Sequence, residues 1–186
     1  MGMPDLVRRW TRDEVLALPD DGNRYELFDG ELLVTPAPSG LHQIALMRLY
    51  DLIAPLVRAN GPGATLWSPA DLDLGGGDIS QPDLFVVPFL PQERDDWRSF
   101  PLPILVVEVL SPSTARADRL VKRRRFQRAG VPEYWIVDLD ARAVERWRPA
   151  DERPEVLDER LIWQPEGAPT ALEVELPSFF RSVWGN

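Results

Sequence analysis

Three residues have types and spacing suited to one piece of chemistry: Asp83, Glu108 and Lys122. Lys122 is the only lysine in 186 residues, and the other twenty cationic side chains are all arginine. A composition that has drifted this far toward arginine keeps a lysine where arginine cannot substitute. Arginine stays charged in any environment, whereas the compact lysine amine can lower its pKa when buried. Glu108 interrupts ILVVEVL, an apolar and largely β-branched run that reads as a strand buried on both faces. A carboxylate there is costly unless it is paired, hydrogen-bonded or bound to a cation. Asp83 follows Pro82 and precedes LFVV, the strand before. Two carboxylates on adjacent strands suit a hard divalent cation, Mg²⁺ or alternatively Mn²⁺, with water completing the shell. Such an ion can bind a phosphodiester oxygen and activate water, and a nearby amine can orient that water or stabilise charge in the transition state.

The elements around these residues must bring them together. Ser111-Pro112-Ser113-Thr114 ends the Glu108 strand and offers Ser113 or Thr114 as the N-cap of a helix. At about 100° per residue, Ala115, Asp118, Lys122, Phe126 and Ala129 share one face of that helix, and Arg116, Arg119, Arg123 and Gln127 lie away from it. Lys122 is therefore expected to project with the apolar face, toward the sheet that holds Glu108. Upstream, Thr11 and Glu14 form a capping box for a short helix. Asp29-Gly30 between RYELF and ELLV is a two-residue hairpin signal. Ser39 caps a helix with 3.6-residue apolar spacing from Leu41 to Leu56, in which Pro55 should kink or shorten the last turns. Asn60-Gly61-Pro62-Gly63 reads as a loop. Gly75-Gly76-Gly77 joins two strands as hairpin chemistry, since a phosphate loop would need a following helix and a Lys-Ser/Thr pair. EYWIVD is a further buried strand, AVERW returns after a turn, VLDERLIW and ALEVEL form a last hairpin, and the tail is aromatic. No internal repeat or domain boundary is visible, so residues 1–186 read as one domain of the α/β or α+β class, a mixed sheet flanked by helices.

Composition narrows the partners. The net charge of −9 counts against a general nucleic-acid binder, because phosphate contacts need a positive surface. A local basic block, Arg119 to Arg128 with Lys122, is weak support for such contacts, since charge runs on helices are usually solvated faces. Cysteine is absent, which excludes thiolate metal sites and fits a cytoplasmic protein. No signal segment or membrane-length apolar run is present.

Beyond this, Pro82-Asp83 followed by Glu108 resembles the PD-(D/E)XK nuclease superfamily. The longer string Glu108-Val109-Leu110-Ser111-Pro112-Ser113-Thr114, then Asp118, Lys122 and Glu133 to Asp138, resembles its Uma-two-type branch of bacterial restriction endonucleases. Tyr25-Glu26-Leu27, Asp29-Gly30-Glu31 and His42 also match that branch, so the likeness runs from about Arg24 to Trp147. The resemblance implies a restriction-endonuclease-like fold and metal-dependent cleavage of DNA. Asp83 and Glu108 would be the metal ligands, with the Val109 carbonyl as a third. The superfamily lysine is expected two residues after the glutamate, where this chain has Leu110; the branch moves the amine to the following helix, at Lys122. Glu26 is then a candidate second acidic group at the site, against a solvent-facing strand charge. His42, the only histidine, is a candidate base or ligand against a local hydrogen-bonding role. Tyr134 and Trp135 read as core. A homodimer suits cleavage of two antiparallel strands. Two alternatives stay open: a non-catalytic interaction or nucleic-acid-binding module on the same fold, and a hydrolase for another phosphate ester.

Overall fold

The computed structural model describes residues 8–61 and 63–185. Thr11 caps helix α1 (Arg12–Leu16) through the expected capping box with Glu14. Strands β1 (Arg24–Phe28) and β2 (Glu31–Thr35) form the antiparallel hairpin that Asp29-Gly30 predicts. Both turn residues have positive φ, 50° and 81°, the backbone a primed two-residue turn requires. Ser39 accepts the His42 N–H and opens helix α2 (Gly40–Ala59). This helix continues past Pro55 rather than shortening there, and buries Leu49, Ile53 and Val57 on one side. Of the 60–63 loop, Pro62 lies outside the described residues.

Strand β3 (Ala64–Trp67) pairs antiparallel with β4 (Leu84–Val87). A Cβ on Gly63 would come within 2.7 Å of the Val87 carbonyl oxygen, so a glycine is needed where β3 starts. The connection is no simple hairpin. Residues 68–83 make an excursion in which Leu72 bridges to Ser80 and Leu27 to Ile79, with the three glycines at its tip. The excursion thus ties the β1–β2 hairpin to the rest of the molecule.

Strand β5 (Leu105–Val109) pairs antiparallel with β4 and parallel with β6 (Glu133–Asp138). Parallel neighbours need a crossover, and the segment after Ser111 supplies it: a turn of helix α3 (Ala115–Ala117), a π-helical turn (Asp118–Lys122), then α4 (Arg123–Ala129). The expected helix therefore exists, but with a π turn inside it. Thr114 holds the N-cap position without capping, its hydroxyl being engaged with Ser111.

Strands β7 (Ala143–Trp147) and β8 (Glu155–Leu157) complete a six-stranded mixed sheet in the order β3-β4-β5-β6-β7-β8. The expected VLDERLIW strand is split: β8 joins the main sheet, while β9 (Arg160–Trp163) pairs with β10 (Leu172–Glu175). The aromatic tail is helix α5 (Leu176–Trp184).

Two apolar cores fill the faces of the sheet. Helices α2 and α5 pack on one, with Val107, Val109 and Trp135. On the other, Phe126 of α4 packs with Phe85, Val106 and Tyr134. Each fully buried large apolar side chain contributes about 1.5–3 kcal/mol, and Trp135 and Tyr134 are core residues as expected. Among the described residues, no helix is long and apolar enough to cross a membrane. The architecture is mixed α+β, a six-stranded central sheet with flanking helices and added hairpins, as expected.

Candidate active site

Glu108 alternates with Val107 and Val109 along β5, so it points to the Phe126 face of the sheet, where the crossover lies. Leu84 is the last β4 residue paired in the ladder, opposite Val107. Asp83, one step beyond, stands across from Glu108 on that same face. Its carboxylate Oδ2 accepts the Val109 N–H at 2.9 Å, which fixes it against the end of β5. The crossover lays Lys122 over this pair. Asp118, Lys122 and Phe126 are all at most 1 % exposed, as the helical-face reading requires.

The ammonium sits among three carboxylates: Glu26 Oε2 at 2.8 Å, Glu108 Oε1 at 3.0 Å and Asp118 Oδ1 at 3.2 Å. Only the Glu108 contact is a well-aligned hydrogen bond, and Glu26 Oε2 and Asp118 Oδ1 have none. Asp83 has its own partners. Arg24 Nη1 donates to Oδ1 at 2.7 Å, and His42 Nε2 lies 3.2 Å from Oδ2.

The charges are arranged unevenly. Burial disfavours ionisation of Lys122, but the attraction of Glu108, Glu26 and Asp118 overcomes it and holds the amine firmly protonated. The expectation that burial lowers this pKa is corrected here, because the lysine is buried among acids rather than apolar groups. Burial pushes the Glu108 carboxyl well above the usual range; Lys122 offsets part of this, and repulsion from Asp83, Asp118 and Glu26 adds to it. Asp118 is raised for the same first reason, burial. Asp83 goes the other way. Burial opposes its charge, yet the close His42 ring and the Arg24 and Lys122 charges hold it well below the usual carboxylate range.

A cleft of about 670 Å³ opens beside this cluster, and its lining includes Arg24 and His42, the two residues that contact Asp83. Its walls are the Pro36–Ser39 segment, the Ser111–Thr114 turn and residues 138–141.

The structure brings every sequence-predicted side chain into this one region. Glu26 is fully buried against Lys122 rather than facing solvent, and Ser80 and Gln81 donate to its other oxygen. His42 is buried at the start of α2 beside Asp83. Leu110 is partly buried in the apolar core on that side and carries no polar function. Two participants, Asp118 and Arg24, were not among the site residues expected from the sequence. Asp118 was visible as the residue one turn before Lys122 on its face. Arg24 carried no local signal beyond standing two residues before Glu26 on the same face of β1.

The residues fit a divalent cation. Four buried carboxylates, Glu26, Asp83, Glu108 and Asp118, face two permanent cations, Arg24 and Lys122, leaving two excess negative charges. A buried imbalance of this kind is resolved by protons or by a bound ion. All the carboxylates are hard oxygen donors. Among the described residues, no group of three or more His, Cys, Asp or Glu side chains is placed to hold a metal ion, so only a site on fewer side chains is open to one. An open site on one or two carboxylates is the arrangement Mg²⁺ prefers, since it keeps several of its waters.

Comparison with known proteins agrees with the architecture. The crystal structure of "a putative nuclease belonging to DUF820" from Anabaena variabilis ATCC 29413 superposes with a TM-score of 0.77 at 23 % identity, over 94 % of this chain and 99 % of that one. No curated protein sequence matches significantly. The family comparison is more direct, for over residues 12–180 the sequence matches Uma2, described as "Putative restriction endonuclease", and the chain belongs to that family.

Proposed function

We propose that the protein is a divalent-metal-dependent endonuclease that hydrolyses DNA phosphodiester bonds in the cytoplasm. The observation that carries this reading is a buried cluster of four carboxylates around Asp83 and Glu108 that outnumber their two permanent cations, behind the Arg24 and His42 wall of an open cleft. Asp83 and Glu108 would hold Mg²⁺ or Mn²⁺, with the Val109 carbonyl as a third ligand. When bound, the ion supplies Lewis acidity toward the phosphate and lowers the pKa of water.

The chain's own groups do the rest. Lys122 adds a fixed positive charge in a water-poor setting, where charge building on the phosphate is most costly. Glu26 and Asp118 pin that ammonium, and Arg24 and His42 orient Asp83. The raised Glu108 pKa fits a carboxylate that awaits a cation. On duplex DNA, cleavage of both strands calls for a homodimer with two symmetric sites. A second reading, a nuclease-fold module that binds without cutting, rests on Leu110 at the usual lysine position.

Nicking of supercoiled plasmid with Mg²⁺ or Mn²⁺ tests the proposal, together with calorimetry of metal binding. Nicking should occur in the native chain and vanish in Asp83→Ala and Lys122→Ala variants that remain folded. Full activity in either variant overturns the assignment. Neither nicking nor metal binding in the native chain leaves the non-catalytic module.

A further inference from the structure

We propose that the cleft beside the carboxylates receives a single unpaired DNA strand rather than a duplex, an inference that rests on the endonuclease reading above. Duplex DNA is held by charge: a typical binder neutralises roughly six to ten phosphates with Lys and Arg. The basic block nearest the cleft offers few of those contacts. That block is spent internally: Arg119 pairs with Asp138 and Glu145, Arg125 with Asp78, and Arg128 with Asp29. Arg123 lies over the Trp147 ring and hydrogen-bonds Gln127. Of the block, together with Arg116 just before it, only Arg116 and Arg124 are exposed and without an ion pair among the described residues.

The cleft itself is no more basic. Arg24 and Arg119 line it, but so do Asp138 and Asp140, and the carboxylate cluster beneath is negative. A divalent ion there would offset the cluster and leave the cleft close to neutral, with little pull on phosphates.

What the cleft does present is apolar wall. Pro36 and Pro38 stand on one side, Pro112 on another, and Leu139 lines it as well. The three prolines are exposed and conformationally stiff. Such surface gains from covering the face of a base and gains nothing from a phosphate. In a duplex the base faces are stacked on one another; in an unpaired strand they are free to be covered. The cleft's 670 Å³ lies within the range of about 300–1,000 Å³ typical of small-molecule pockets. That is room for a nucleotide or two.

The test is binding by the full chain, with Ca²⁺ replacing Mg²⁺, of a short fluorescent oligonucleotide, unpaired or annealed to its complement. The unpaired strand should bind about tenfold or more tightly than the duplex, with a salt slope of magnitude about one to two. Pro112→Asp, a change on the exposed rim that circular dichroism should show folded, should weaken the unpaired strand about tenfold by placing a like charge beside it. Equal or tighter duplex binding, a slope of magnitude about six or more, or unchanged binding by Pro112→Asp overturns the inference. Cleavage is scored separately on the same strands with Mg²⁺ and Mn²⁺. Cutting with duplex preference would retain the endonuclease and discard the strand preference, whereas selective binding without cutting would do the reverse.

Discussion

Two buried clusters of charge, both resting on the crossover segment, are built on opposite principles. Around Asp78, one acid meets one arginine. Its Oδ2 accepts from Arg125, its Oδ1 from the Asp29 N–H at 3.0 Å, and its carbonyl from Arg12 at 2.7 Å. Arg125 Nη2 donates to the Leu74 and Gly75 carbonyls. That cluster closes, and it clamps the first hairpin, the glycine excursion and α4 to each other. Around Lys122 nothing closes: carboxylates outnumber cations, and Glu26 Oε2 and Asp118 Oδ1 lack aligned hydrogen bonds. Folding alone favours the first arrangement, because buried groups should be paired and satisfied. The second is tolerated where it serves a ligand.

The comparison can be broken most visibly at Glu108. Glu108→Gln should abolish nicking while leaving the denaturant midpoint unchanged or higher, since burial already disfavours a charge there and the amide oxygen can still accept from Lys122. A large drop in stability would show that the carboxylate is structural. Next in size, Lys122→Met should cost about 3–5 kcal/mol in urea unfolding, the usual result of stripping a buried charge of its partner. The sign with pH follows from linkage. Carboxylates left without a counter-charge bind protons more readily folded than unfolded, so this variant should recover stability as pH falls from neutral.

Asp78→Ala should cost less, about 1.5–3 kcal/mol, because Arg125 keeps two carbonyl partners and is partly solvated. It should leave metal binding by calorimetry unchanged, which separates the clamp from the site. Smallest of all, Arg128→Ala removes an exposed pair with Asp29 and should shift stability by no more than about 1 kcal/mol.

Much of the fold was legible because its signals are local. The Thr11 capping box, the Asp29-Gly30 turn and the β-branched runs of β4, β5 and β6 each depend on residues a few positions apart. Where the reading failed, a distant partner decided. VLDERLIW divides because its first half pairs with β7 and its second with β10, a choice between two edges that alternation does not encode. Pro55 leaves α2 intact, and residues 68–83 wander from a hairpin because they bridge to β1.

The site divides along the same line. By itself the sequence established which residues were chemically out of place: one lysine amid arginines, one glutamate in a buried strand, one acid after a proline. It also put Asp118 and Lys122 on one helix face, since helical periodicity is local. Only the tertiary structure decided that Lys122 stays charged, that Glu26 is buried against it, and that Arg24 and His42 hold Asp83. The physical reason is that a side chain's ionisation depends on what surrounds it in space, and here those surroundings come from β1, α2, β4, β5 and the crossover, segments that meet only once the chain has folded.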